Sequence, residues 1–126
     1  MNDSKHPIDI RVVTQFMPEH SNIDAREYAF AYTITITNRG DQAAQLVSRY
    51  WRIVDGNDAV QEVQGEGVVG EQPRLLVGES YRYTSGAVLE TAVGVMEGSY
   101  EMRTDDGKTF EAPIAAFSLV HPNALH

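Results

Sequence analysis

The chain contains no cysteine, which excludes a disulfide framework, thiolate zinc or iron–sulfur ligation, and a catalytic thiol. Lysine is scarce: Lys5 and Lys108 stand alone beside scattered arginines, and no basic run occurs. Eighteen acidic against ten basic residues leave a formal charge of −8, which repels phosphate backbones and anionic lipid and argues against a nucleic-acid partner. A basic partner or a cation is electrostatically easier, although simple solubility is the better account of a charge of this size. No stretch approaches the roughly 18 apolar residues of a membrane helix, and the opening MNDSKHPIDI lacks the apolar core of a signal peptide. The expectation is a cytoplasmic protein without membrane insertion, in keeping with the missing cysteines. Internal repeats and low-complexity segments are also lacking.

What is present is ordinary globular composition in 126 residues, enough for one domain that buries about two thirds of its unfolded surface without staples. The expectation is a single domain over residues 1–126, with flexible ends at 1–7 and 121–126. Period-two alternation dominates. It is cleanest where Tyr28, Phe30, Tyr32, Ile34 and Ile36 alternate with Ala29, Ala31, Thr33, Thr35 and Thr37, the signature of a half-buried strand. After the turn residues Asn38 to Asp41, a strand over Leu46–Val54 is expected to place Val47, Trp51 and Ile53 on one face and Ser48, Tyr50 and Arg52 on the other. Arg49 falls on the Trp51 face. A buried unpaired guanidinium is costly, so it either snorkels at the strand end or marks a bulge.

Asp55 to Asp58 read as a turn and Ala59–Gln64 as a short strand. Strands are then expected at Arg74–Val77 and Glu79–Ser85 around Gly78, with Tyr81 and Tyr83 inward and Arg82 and Thr84 wet. The stretch from Ser85 to Gly94 reads as an ordered connection, with a short helical turn as the alternative. Tyr100 and Met102 point inward before the hairpin turn Asp105-Asp106-Gly107. Phe110–Val120 returns as the last strand, its alternation changing phase between Ile114 and Phe117 as at a bulge. About seven to eight short strands without an amphipathic helix define an all-β sandwich, with Trp51 as core anchor rather than ligand-stacking platform.

Gly65-Glu66-Gly67-Val68-Val69-Gly70 matches the GxGxxG pattern of dinucleotide sites and follows a predicted strand. That chemistry needs a helix whose N-terminal amides hold the phosphates. Here Pro73 and Gly78 would lie inside such a helix, costing about 3 and about 1 kcal/mol, and Glu66 sets a carboxylate where phosphate oxygens would sit. Glu90 falls about where the ribose-binding acid belongs, a coincidence of little weight in so acidic a chain. No helix is expected; the glycines serve a tight inter-strand connection, with a backbone nest for a small anion as the functional alternative.

The segments YTITITNRG (32–40), AQLVSRYWRIVDG (44–56), the glycine run with its sequel EQPRLLVGESYRYTSG (71–86), GVMEGSYEM (94–102) and FEAPIAAFSLV (110–120) closely resemble the ApaG family. The resemblance covers nearly the whole chain beyond a short N-terminal lead. It implies an immunoglobulin-like, fibronectin type III-like sandwich and a role in magnesium and cobalt homeostasis exercised through a partner. It also makes the stretch from Gly65 to Pro73 characteristic, so that Gly65, Glu66, Gly67, Gly70, Glu71, Gln72 and Pro73 become the candidate partner- or ligand-binding residues, with Glu66, Glu71 and Gln72 as polar contacts.

Other chemistry is sparse. A GxSxG elbow is missing, and His6, His20, His121 and His126 lie near the ends or in a predicted loop. His121 and His126 read as a solvated tail rather than a metal pair. Asp55 to Asp58 start like a calcium loop, but Ala59 and Val60 replace required positions. Asp105 with Asp106, and Glu97 with Glu101, bring carboxylates near one another and allow at most weak divalent-cation binding; no metal or cofactor site is assigned. The turns at 38–42 and 105–107 are placed at the end of the sandwich opposite the glycine loop. The leading expectation is a non-enzymatic protein-interaction module; the alternative is a small-ligand protein binding a divalent cation or phosphorylated metabolite near Gly65–Gly70.

Overall fold

The computed structural model describes residues 7–124. Of the expected flexible ends, residues 1–6 and 125–126 lie outside the described residues. Eight strands follow in order: β1 (Ile8–Phe16), β2 (Tyr28–Asn38), β3 (Ala44–Asp55), β4 (Val60–Glu66), β5 (Arg74–Leu75), β6 (Ser80–Leu89), β7 (Val93–Thr104) and β8 (Thr109–Val120). They form two antiparallel sheets, β1-β2-β6 and β4-β3-β7-β8 with β5 added to β3. The expected all-β sandwich is therefore observed. Among the described residues the only helical turns are short 3-10 segments at Pro18–His20 and Ile23–Ala25.

Alternating side chains build the core as period-two geometry requires. Tyr32, Ile34 and Ile36 of β2 and Tyr83 of β6 face Trp51 and Ile53 of β3, Met96, Tyr100 and Met102 of β7, and Ala112, Ile114 and Leu119 of β8. Trp51 is 2% exposed and meets Tyr32, Phe117 and Tyr100 edge-on at ring separations of 5.5, 5.8 and 6.5 Å, the favoured quadrupole arrangement. Its role as core anchor holds. The phase change in β8 is a bulge: Met96 pairs with Phe117 and Gly98 with Ile114, so Ala115 and Ala116 oppose Glu97 alone.

Several expected boundaries shift. β1 lies in the segment read as a lead; its alternation of Ile8, Ile10 and Val12 is interrupted by Val13, which is 70% exposed. Arg74–Val77 contributes only Arg74–Leu75, because Val77 and Gly78 turn the chain, with Gly78 at φ 87°. β6 continues to Leu89, replacing the connection expected from Ser85 onward, since its pairing with β2 runs unbroken to Tyr28–Leu89. Val47 does not share the Trp51 face. The register between β3 and β7 slips between Leu46 and Ser48, so Val47 is the extra residue of a bulge and fully buried Leu46 takes the core position.

Two polar devices brace this packing. Asn38 is 1% exposed; its side-chain nitrogen donates to the carbonyls of Gln42 (2.9 Å) and Leu75 (3.0 Å), and its oxygen accepts from the Gly40 amide (3.0 Å). The buried Tyr83 and Tyr100 hydroxyls bond to each other across the sheets at 2.6 Å. Burial pushes both phenols up from their ordinary value. Below about pH 10 both folded and unfolded chains keep these protons, so their stabilisation is complete there. Above it the unfolded chain ionises while the folded one resists, and stability falls with rising pH. We expect the urea midpoint to decline from about pH 10 upward, with the Tyr83→Phe/Tyr100→Phe variant declining less steeply; identical slopes would refute this.

Candidate functional site

The loop from Gly65 to Pro73 is built around the β3 bulge. The Val47 carbonyl accepts from the Gly67 amide at 2.9 Å and from the Gln72 side-chain nitrogen at 2.8 Å. The Leu46 amide donates to Pro73 O at 2.9 Å, and the Gln45 side chain donates to Gln72 O at 3.0 Å. The loop thus completes the hydrogen bonding of β3 where β4 ends and β5 has not begun.

Arg49 resolves its awkward position by reaching along the sheet edge. Its Nη1 donates to the carbonyls of Glu66 (3.1 Å) and Gly67 (3.0 Å). A Cβ at Gly65, its pairing partner on β4, would lie 2.8 Å from that nitrogen, so glycine is what lets the guanidinium lie across the strand. Both sequence readings of Arg49 were partly right: it turns toward the strand end, and the bulge lies two residues before it.

At the tip, Val68 and Glu71 exchange amide–carbonyl bonds of 2.8 Å in each direction. The residues between them, Val69 and Gly70, have φ of 43° and 83°, as a tight primed turn requires at both central positions. Gly70 is suited to this; Val69 is a β-branched residue in the left-handed region, a strained placement. Val69 is also 55% exposed, whereas its neighbour Val68 is 1% exposed and pins the loop to the core.

The seven predicted residues accordingly divide. Gly65 and Gly67 are structural, the latter because φ is 64° and a Cβ would lie 2.3 Å from Glu71 O. Gln72 and Pro73 are tied to β3 as described, while Glu66, Gly70 and Glu71 face solvent. Val69 was missed by sequence reasoning; a valine just before the turn glycine was the available signal. No α-helix follows the motif, and Pro73 leads into β5. The amides of Gly67, Val68 and Glu71 already donate to the protein's own carbonyls.

Glu66 opens onto the outer face of the larger sheet, where a groove of about 670 Å³ is lined by Ser48, Tyr50, Gln64, Ser99 and Glu101 among others. Register sets Glu66, Ser48, Glu101 and Glu111 in one row across four strands. Ser48 donates to Glu101 at 3.0 Å, Tyr50 to Glu62 at 2.5 Å, and Arg52 pairs with Glu97 at 3.5 Å. The Glu62 carboxylate that accepts from Tyr50 raises that phenol's pKa. Glu97 and Glu101, noted from the sequence, thus engage neighbouring strands.

The turns at 38–42 and 105–107 are not opposite the loop. Ala44 pairs with both Leu75 and Thr104, and Arg74 forms a two-pronged ion pair with Asp105, with Nε to Oδ1 at 3.0 Å. Arg74 holds the Asp105 carboxyl below its usual range; Thr104 and the Lys108 amide do the same for Asp106. His121, expected in a solvated tail, is half-buried: its amide donates to Ala92 O at 2.8 Å and its ring packs edge-on against Phe16 and Tyr28 at 4.5 and 5.9 Å. Among the described residues no group of three or more His, Cys, Asp or Glu side chains is arranged to hold a metal ion.

Residues 18–104 match the ApaG domain. The chain is 51% identical over 126 residues to Protein ApaG of Pseudomonas syringae pv. tomato, covering all of both chains. It is 57% identical over 119 residues to Protein ApaG of Azoarcus sp., covering 94% of each. Its coordinates superpose with a TM-score of 0.90 on a crystal structure described as an ApaA protein from Bordetella pertussis, at 46% identity, over 93% of this chain and 95% of that one. The glycine loop and the bulged strand that carries it both lie within the matched residues, and the chain belongs to the ApaG domain family.

Proposed function

We propose that the chain is a non-enzymatic, cytoplasmic interaction module whose Gly65–Pro73 loop contacts a protein partner in magnesium and cobalt homeostasis. The carrying observation is Val69: an exposed β-branched residue held at φ 43° on a loop anchored by the Val47 bulge and by Arg49. Such strain persists where the surroundings over-determine it and clusters at working surfaces, and recognition residues commonly sit on loops carried by rigid sheets. Glu66 and Glu71 flank the apolar tip with negative charge, which suits a basic partner surface. The small-ligand reading, a divalent cation or phosphorylated metabolite at Gly65–Gly70, is less favoured: three loop amides are already engaged and both carboxylates repel phosphate, and among the described residues no group of three His, Cys, Asp or Glu side chains is arranged to hold a cation.

The test is the variant Glu66→Ala/Val69→Asn/Glu71→Ala. Asparagine suits the left-handed position, so this variant should unfold at or above the parent's urea midpoint. It should nonetheless lose the ability to restore cobalt tolerance to cells lacking the chain. Restoration equal to the parent's would remove the loop from the function.

A further inference from the structure

A second opening lies on the flank of the sandwich, between the edges of β4 and β6. Its volume is about 320 Å³ and its walls include Tyr32, Trp51, Ile53, Val63 and Ala87, with Arg49 at the loop end. Its origin is local sequence. On β6 the inward positions 81, 83, 85, 87 and 89 carry Tyr, Tyr, Ser, Ala and Leu, so two small side chains interrupt a large series. Across from them, β4 positions 61, 63 and 65 carry Gln, Val and Gly. Where large side chains would normally close the sandwich edge, a slot stays open, within the lower size range of small-molecule sites.

Two groups in it want an acceptor. Arg49 has no carboxylate within 4.0 Å among the described residues; only its Nη1 is used, on the carbonyls of Glu66 and Gly67. Tyr32 is 6% exposed as a residue, and its hydroxyl, which is not sealed from solvent, has no hydrogen-bond partner among the described residues. A half-buried guanidinium is desolvated enough for a carboxylate to gain more from it than at the open surface. The remaining walls join apolar and aromatic Trp51, Ile53, Val63 and Ala87 to the polar side chains of Gln61 and Ser85. From this we infer that the flank slot binds a small apolar carboxylate, its acid on Arg49 and Tyr32 and its hydrocarbon against Trp51, Ile53 and Val63. The inference concerns a site distinct from the loop tip and does not rest on the proposed docking role.

Trp51 is the chain's only tryptophan and lines the slot, so its emission reports occupancy. The probe is phenylacetate, with neutral phenylacetamide as control and acetyl-Gly-Gly-Phe to distinguish a free acid from a polypeptide C-terminus. Phenylacetate should change Trp51 emission saturably, with Kd on the order of 1 mM, and phenylacetamide should bind at least about tenfold more weakly. Tighter binding of acetyl-Gly-Gly-Phe would assign the acid to a chain end, and weaker binding to a free metabolite. Tyr32→Phe should weaken phenylacetate several-fold, and Ala87→Leu, which fills the slot away from the loop, should abolish binding while the fold is retained by circular dichroism. Arg49→Gln also loosens the loop and is secondary. Emission unchanged at concentrations on the order of 10 mM, equal binding of the amide, or undiminished binding by Ala87→Leu would each overturn the inference.

Discussion

Trp51→Ala is expected to lower unfolding free energy by roughly 3 to 5 kcal/mol, read as a shift in the urea midpoint. The indole is 2% exposed and ringed edge-on by Tyr32, Tyr100 and Phe117. Those three rings come from both sheets, and collapse onto alanine would demand that the sheets approach. The hydrogen-bonded Tyr83–Tyr100 pair resists that movement, so most of the cavity should remain. A midpoint within experimental error of the parent's would show that the indole contributes little to inter-sheet packing.

Gly98→Ala is the second large effect. Gly98 faces Trp51 directly on β3; an added Cβ would lie 2.0 Å from the Tyr50 carbonyl oxygen and 3.1 Å from an indole carbon. The first of these neighbours is backbone and cannot rotate away. Relief requires the two central strands to part, so a loss of about 3 kcal/mol is expected, at the upper end of overpacking penalties. Combining it with Trp51→Ala separates the causes. If the indole is the main obstacle the double variant loses less than the sum of the two; if the carbonyl dominates, the losses add. A Gly98→Ala midpoint equal to the parent's would refute the close approach.

Much of the sandwich could be read from alternation because the relevant strands bury one face and wet the other. Phe30 to Thr37, Trp51 with Ile53, and Tyr83 with Tyr100 and Met102 all fall where the pattern puts them, whereas Ala29, assigned to the outer face, is buried. The errors have physical causes. Val47 was misplaced because a bulge inverts the pattern for every residue before it, and a single strand cannot reveal the pairing slip. β1 escaped notice because its outer face carries an exposed valine that blurs the contrast between faces. β6 was cut short at Ser85 because small residues weaken the strand signal, yet those residues leave the flank slot open.

The candidate site was legible as a place and not as an arrangement. The glycines marked a connection that no helix could follow, and Pro73 supported that reading. Which glycines make room and which turn the chain depends on contacts that only the folded backbone reveals: Arg49 for Gly65, and the Glu71 carbonyl for Gly67. Gln72 looked like a surface contact, but its amide is held by the bulge carbonyl. Only hydrogen bonding seen in three dimensions separates such a residue from Glu66 and Glu71.

The order β1-β2-β6 beside β4-β3-β7-β8 has a kinetic consequence. The hairpins β1–β2, β3–β4 and β7–β8 join neighbours in the chain, but the ladders that bind them into sheets, β2–β6 and β3–β7, pair residues as distant as Tyr28 with Leu89 and Ala44 with Thr104. Closing such long loops must precede most of the burial that rewards it, which places folding in the millisecond-to-second range of non-local β topologies. The indole, flanked by rings from both sheets, reaches its native surroundings only when the two assemblies meet. Until then the apolar inner faces of both sheets stay uncovered, and concentrated refolding would favour association between chains.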